Sequence, residues 1–299
     1  MSIDNDISFS FTIAEKVKDY FQLSKFTLSF TVVFSCVICY LLAPQVVSYN
    51  PKMILLLFFA GMLITGSANA INQAIEKDTD AQMARTSKRP VASGRMSDRE
   101  AYLFATIAGI AGIAIMAIWF NYSSATLSAF SLFLYAFVYT PLKKINSIAV
   151  LVGAFPGAFP CLIGWVAGND DFAIGGWILF GIQFLWQFPH FWAIAWVAHK
   201  DYSRVGFKLL PADKGPTKFT AIQGIMYSVL MIPVGILPNY YHMTGTISLW
   251  IVLFCNLFLV VQSLRLYKEM NVTAARRVMF SSYIYLPVVL LSLLADKAH

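Results

Sequence analysis

The chain has 299 residues, 58% of them hydrophobic and 12% charged, with a mean hydropathy of +0.66. An ordinary soluble domain carries roughly 25% charged residues, so that class is excluded, as are disordered and collagen-like chains; surplus apolar surface on this scale is solvated by lipid. The net charge of +7, from 22 Lys and Arg against 15 Asp and Glu, would suit nucleic acid in a soluble protein, but here its distribution decides its meaning.

Residues 1–24 form a hydrophilic, cytoplasmic N-terminal segment. It carries Asp4, Asp6, Glu15 and Asp19, and no arginine precedes Arg85, which argues against an Arg-rich transit peptide. The first apolar run lacks the small-residue site of a cleavable signal. The stretch 11–21 reads as a short helix lying on the membrane surface. Residues 25–299 then make one intramembrane domain. Apolar runs of about 20 residues, the length that crosses a bilayer core, fall at 26–43, 53–72, 101–120, 125–140, 147–167, 172–198, 219–237, 246–264 and 278–295. The expected fold is all-α, a polytopic membrane bundle of nine transmembrane helices. With the N-terminus inside, every arginine and every lysine except Lys52 and Lys297 falls in a cytoplasmic segment. Such a split sets the orientation, supports an odd number of spans and accounts for most of the net charge; the expected location is the cell's inner (cytoplasmic) membrane. Cys36, Cys39, Cys161 and Cys255 all lie in apolar runs, and a C-x-x-C without a second pair or a nearby His reads as packing rather than metal or redox chemistry.

The two longest loops between spans share the cytoplasmic side and hold most of the acids outside the termini. In the first, Thr65, Asn69, Asn72 and Glu76 lie within about 60° of one another on a helix, with Asp80 a turn further on. Asn72-x-x-x-Glu76-x-x-x-Asp80 thus offers oxygen ligands on successive turns, the donor type of a Mg2+ ion that completes its shell with water and substrate phosphate. Arg85, Lys88 and Arg89 follow as phosphate-pairing groups. Periodicity and composition fit a solvated, mixed-charge loop equally well. Asp78 points away from Asp80 and reads as solvated or paired with a lysine.

Further along, the segment from Tyr139 to Asn146 places Lys143 and Lys144 on the same face, either as diphosphate ligands or as topology signals. In the fifth span Gly153, Pro156, Gly157, Pro160 and Gly164 allow close helix contact and kinks; singly, each glycine reads as packing. The sixth span carries Gln183, Trp186, Gln187, Pro189 and His190. Gln183, Gln187 and Asp201 share the helical face of His190, whereas His199 falls opposite and reads as solvated. Polar groups at bilayer depth cost roughly 2.5 to 3.5 kcal/mol each on insertion scales and so face a cavity or the bundle interior. A polar-lined pocket opening toward Asp201 is expected, with His190 about 16 Å deeper at 1.5 Å per residue.

Together these residues resemble the UbiA superfamily of intramembrane prenyltransferases. Asn72-x-x-x-Glu76-x-x-x-Asp80-x-x-Met83-x-Arg85-Thr86-x-x-Arg89-Pro90 is similar to its first aspartate-rich motif. Within the superfamily the chain resembles the protohaem IX farnesyltransferases, or haem O synthases. The residues concerned are Tyr139-Thr-x-Leu-Lys143, Gly157-Ala-x-Pro160-x-Leu-Ile-Gly164-Trp165, Leu185-Trp-Gln-x-Pro189-His190-Phe-Trp192-Ala-Ile194 and Asp201-Tyr202-x-x-x-Gly206-x-x-x-Leu210-Pro211. The five motifs occur in order, and the likeness runs from about residue 25 to the last span.

The resemblance implies nine helices around a central cavity, with two Mg2+-binding motifs at its cytoplasmic mouth. It also implies the reaction: the farnesyl group of farnesyl diphosphate joins a vinyl group of haem B, water adds, and haem O and diphosphate are released for haem–copper oxidase maturation. Carried over residue by residue, Asn72, Glu76 and Asp80 bind Mg2+ at the first motif and Asp201 at the second. Arg85, Arg89 and Lys143 hold the departing diphosphate, with Lys88, Lys144, Tyr139, Asn146 and Tyr202 as further substrate contacts. Trp186, Gln187 and His190 complete the substrate-binding set, His190 either as an axial iron ligand or as a donor to a polar edge of the macrocycle. The implied partners are farnesyl diphosphate, haem B, the lipid bilayer and haem A synthase or oxidase assembly factors, with no nucleic acid. Two positions depart from the family pattern. Glu76 stands where Asp is usual, and Asp201-x-x-x-Val205 leaves one acid at the second motif apart from Asp213, with Tyr202 or Asn146 to compensate. A transferase acting on a quinone precursor or a chlorin would not need the Pro189-His190-Phe191-Trp192 signature. A transporter would show inverted repeats of broken helices, rather than acids in loops at one membrane face.

Overall fold

The structure, a computed structural model, describes residues 12–211 and 215–298. Its helices are α1 (Ile13–Leu23), α2 (Phe26–Leu42), α3 (Pro51–Ile75), α4 (Lys77–Ala81), α5 (Asp98–Trp119), α6 (Tyr122–Phe133), α7 (Thr140–Leu142), α8 (Ala149–Asn169), α9 (Ile174–Val197), α10 (His199–Arg204), α11 (Lys218–Tyr240), α12 (Thr246–Glu269) and α13 (Val272–Ala295). Among the described residues no strand forms; one isolated antiparallel bridge joins Thr244 to Lys297. A π-helical stretch, Leu134–Tyr139, fuses α6 and α7 into one span.

Among the described residues up to nine helices match the expected spans. Eight are long apolar helices, and the remaining one comes from α2, which is 17 residues long and bends by 51° from α1. Capping sets several of their ends: Asn50, Asn121, Thr217 and Asn271 each accept a backbone N–H of the first turn that follows, replacing a bond the helix itself cannot make. The spans form a sequential ring in which each packs on the next, closed by α13 against α2 and α9. Within it α8 and α9 are the most enclosed, with 72% of the residues in their apolar 18-residue stretch buried against 22–44% in the other long spans.

Opposite ends of α2 reveal the parity of the bundle. At its start, Lys25 reaches Asn72 on α3. At its other end, the Lys297 ammonium donates to the main-chain oxygens of Leu41, Ala43 and Val46 at 2.8–2.9 Å. The chain therefore enters and leaves on opposite faces, which requires an odd number of spans. Lys297 neutralises the negative pole of α2, and Lys52 sits 4.2 Å from the Trp119 ring centroid, so the two basic residues outside the main charge distribution both have local structural partners.

Helix α1 begins with a capping box between Thr12 and Glu15. Ile13, Val17 and Phe21, spaced four apart, are exposed on one face, while Asp19 and Leu23 are buried. The buried side is held by Arg95 on Asp19 at 3.0 Å and by Lys16 on Glu100 at 3.0 Å. The expected short helix is therefore present over 13–23, with an apolar stripe outward and ion pairs inward; Phe11 lies outside the described residues.

Two continuous helical faces expected from spacing are broken. Helix α3 ends at Ile75, and Glu76, at φ −93° and ψ 11°, is the joint from which α4 restarts. Asp80 N–H still bonds to Glu76 C=O at 2.7 Å, so the turn-by-turn order of the motif survives. Likewise α9 ends at Val197 and α10 restarts after Ala198, so Asp201 does not continue the helix of His190.

Candidate active site

The first motif is buried and each of its residues meets a cation. Lys25, in the link between α1 and α2, donates to Asn72 Oδ1 at 2.8 Å. Lys143, just past α7, pairs with Glu76. Arg89 pairs with Asp80 Oδ2 at 2.6 Å. Asn72 Nδ2 also donates to the Thr140 hydroxyl at 3.4 Å, and the Thr86 hydroxyl donates to the Asp80 carbonyl at 2.9 Å, so four chain segments converge on this point. Isolated charges at this depth would be costly; pairing offsets much of that cost. Three basic side chains face two carboxylates here. Burial pushes the Lys25 ammonium well below the usual lysine range, with Arg89 and Lys143 acting the same way and Glu76 and Asp80 opposing. Asp80 Oδ1 is buried and has no hydrogen-bond partner among the described residues.

The second loop closes over this cluster. Lys208 N–H donates to the Lys143 carbonyl at 2.7 Å. The Lys143 ammonium lies 5.0 Å from the Tyr139 ring centroid and 5.3 Å from that of Phe207. Arg85 bonds the Tyr202 hydroxyl at 3.3 Å, linking the first loop to the second. Burial raises the Tyr202 pKa, and the Arg85 and Arg89 guanidinium groups oppose it. A cavity of about 370 Å3 lies alongside, with Ala195, His199, Tyr202, Phe207 and Lys208 in its walls. His199 is half-buried in its wall.

Other expected residues lie apart from the cluster. Asp201 is half-buried on α10, and among the described residues no group of three or more His, Cys, Asp or Glu side chains is gathered for a metal. The first motif supplies two carboxylates and an amide, while the Asp201 carboxylate makes no ion pair or side-chain hydrogen bond among the described residues; Asp213 lies outside them. Lys88 and Lys144 are exposed, and Asn146, also exposed, accepts the Ile148 N–H at 2.9 Å at the entry to α8.

Along α9 the expected pocket-lining amides are corrected to interhelix bonds. Gln183 Nε2 donates to the Gly157 carbonyl at 2.8 Å and Gln187 Nε2 to the Ala154 carbonyl at 2.9 Å, because an unpaired amide in an apolar bundle takes the nearest main-chain acceptor. His190 and Trp186 instead turn to α13. Trp186 Nε1 donates to the Ser282 carbonyl at 2.9 Å, and His190 Nδ1 lies 2.8 Å from Ser282 Oγ. The Trp186 and His190 rings stack with centroids 4.5 Å apart.

Lys25, Thr140, Phe207 and Ser282 were not among the expected site residues. Lys25 carried one usable signal, a lone lysine directly before a span, which topology alone already explained.

Residues 32–284 match the UbiA prenyltransferase family. The chain belongs to that family. It is 43% identical over 289 residues to a protein of Cytophaga hutchinsonii named protoheme IX farnesyltransferase, covering 96% of this chain and 100% of that one. A protein of Flavobacterium psychrophilum with the same name is 41% identical, covering 93% and 94%. Among solved structures, one concerned with digeranylgeranylglyceryl phosphate synthase in membranes superposes with a TM-score of 0.79 at 22% identity, covering 94% of this chain and 98% of the other. A UbiA homologue from Archaeoglobus fulgidus bound to GPP and Mg2+ superposes with a TM-score of 0.69 at 15% identity, covering 92% and 99%. This UbiA prenyltransferase is thus a multi-pass membrane enzyme whose bundle is the fold of its family.

Proposed function

We propose that this prenyltransferase moves the farnesyl group of farnesyl diphosphate to a vinyl group of haem B, with addition of water, giving haem O. The observation that carries the donor half is the buried cluster in which Arg89 and Lys143 hold the two carboxylates and Lys25 the Asn72 amide, three basic side chains gathered where a diphosphate would draw them. The acceptor half rests on the end-to-end likeness to proteins named for protohaem farnesylation.

Asn72, Glu76 and Asp80 fit a hard cation, since all present oxygens and Asp80 Oδ1 is a buried acceptor without a partner among the described residues. When bound there, Mg2+ would neutralise charge on the diphosphate. As the ligand arrives, the ammonium groups of Lys25 and Lys143 and the guanidinium of Arg89 turn from their present partners to phosphate oxygens. They then stabilise the charge that builds on the leaving group. Tyr139 and Phe207, already beside the Lys143 ammonium, present aromatic faces that favour a cation and keep water from the allylic carbon. His190, deeper along α9, contacts the haem.

Purified protein given haem B, farnesyl diphosphate and Mg2+ should yield a porphyrin heavier by one farnesyl group plus one hydroxyl group, the second proton of the added water being released, read by mass spectrometry. An unmodified porphyrin beside released diphosphate, or farnesyl found on a different acceptor only, would reject the reading.

The motif-bearing loops are assigned to the cytoplasmic side of the inner membrane, and residues 25–299 to one catalytic domain preceded by the segment 1–24; haem A synthase or an oxidase assembly factor would receive the product. Orientation is tested separately with Ser87→Cys in a Cys-depleted background. An impermeant thiol reagent should label it in opened cells and not in intact ones, and ready labelling in intact cells would reverse the assignment.

A further inference from the structure

The hydrogen bonds around Ser282 determine which nitrogen of His190 carries its proton. A serine hydroxyl has one hydrogen to give. In Ser282 it goes to the Met279 carbonyl at 2.6 Å, the backward bond common in helices. Toward His190 Nδ1, 2.8 Å away, the same oxygen can only accept, so Nδ1 carries the hydrogen and Nε2 is left with its lone pair. Nε2 makes no hydrogen bond among the described residues. Ser282 is itself fully buried, and its main-chain oxygen holds Trp186, which stacks on the imidazole. One residue of α13 thus sets both the tautomer and the tilt of the ring.

We propose that Ser282 is a positioning residue that holds His190 with Nε2 unprotonated and aimed at the haem, so that the ring acts as an iron ligand rather than as a donor to a propionate or other polar edge. This rests on the reading that haem is the acceptor. A lone pair on Nε2 coordinates a metal and repels a carboxylate oxygen, which separates the two roles left open for His190. Histidine ligands of metals commonly have the second ring nitrogen hydrogen-bonded in this way, and loss of that partner typically weakens metal affinity about 10- to 100-fold.

The test titrates ferric protohaem into the full-length protein in detergent and reads affinity, Soret position and spin state for wild type, Ser282→Ala, Ser282→Thr and His190→Ala. Ser282→Ala should lose at least about tenfold in haem affinity and shift the spectrum toward that of His190→Ala, while Ser282→Thr keeps the wild-type spectrum. Farnesyl diphosphate affinity should stay within about twofold throughout, since its site lies at the loop end of the bundle. A defective His190→Ala beside a wild-type Ser282→Ala would overturn the positioning role. So would equal loss of haem and farnesyl diphosphate affinity in Ser282→Ala, which marks a mere clamp between α9 and α13. An unchanged spectrum in His190→Ala removes the ligand role and this inference together. The mass of the porphyrin product decides independently whether haem is the acceptor.

Discussion

Asp80→Asn should cut farnesyl transfer by roughly 10²- to 10³-fold, about 2.7 to 4 kcal/mol of transition-state stabilisation. The substitution keeps the side chain's shape and leaves an oxygen for Arg89, now 2.6 Å from Oδ2. It removes the negative charge and replaces one carboxylate oxygen with an NH2 that repels a cation. Breaking a fully buried pair costs about 3 to 5 kcal/mol of stability; the Arg89 side chain is 20% exposed, so the stability loss here should be smaller. Kinetics at limiting Mg2+ and a thermal melt in detergent separate the two effects. Glu76→Asp, which keeps the negative charge and the carboxylate oxygens, should remain active. Wild-type turnover by Asp80→Asn at limiting Mg2+ would show that this carboxylate does not serve the metal. Asp201→Asn belongs in the same assay, because the structure leaves Asp201 half-buried and outside the paired cluster; abolished transfer with an unchanged melt would place it at the diphosphate.

Gly164→Ala should produce the largest loss of folded protein among single-methyl changes. A Cβ at this position would lie 2.0 Å from the Cys36 carbonyl oxygen and 2.9 Å from the Tyr40 nitrogen. Both obstacles are main chain of α2, so no side chain can swing aside and the two helices must separate. Overpacking of a tight interior typically costs about 1 to 3 kcal/mol, and a backbone obstacle puts this site at or above the top of that range. Because α8 also receives Gln183 and Gln187 through its carbonyls, a displaced α8 would disturb the α9 face that carries His190. Gly224→Ala is the matched control, since nothing lies within 4 Å of its added methyl. The yield of monodisperse protein and its melting midpoint should fall in the first variant and hold in the second; equal behaviour would mean that α2 and α8 adjust freely.

Much of the architecture can be read from the sequence because the governing forces are local or one-dimensional. The thickness of a bilayer sets the length of an apolar run, so the nine spans appear within a few residues of where α2 to α13 lie. The asymmetry of lysine and arginine predicts an odd count, and the bonds of Lys25 and Lys297 at the two ends of α2 agree. Helical spacing likewise puts Asn72, Glu76 and Asp80 on successive turns, and that order survives the break at Glu76 because the chain resumes a helix at once.

Tertiary structure alone decided what each polar group touches. Lys25 and Asn72 are 47 residues apart, and His190 and Ser282 are 92 apart; no period in the chain links such pairs, and only the closure of the helix ring brings them together. The same closure explains Gln183 and Gln187. Their spacing marks a polar stripe but does not say whether it faces a pocket or the carbonyls of α8, since a buried amide is drawn to whichever acceptor packing supplies. Residue types and periodicity therefore determined the spans and the line of oxygens at the end of α3, while their cationic partners and the Ser282 hydroxyl beside the His190 ring were settled by contacts between distant helices, where an unmatched charge or donor would be most costly.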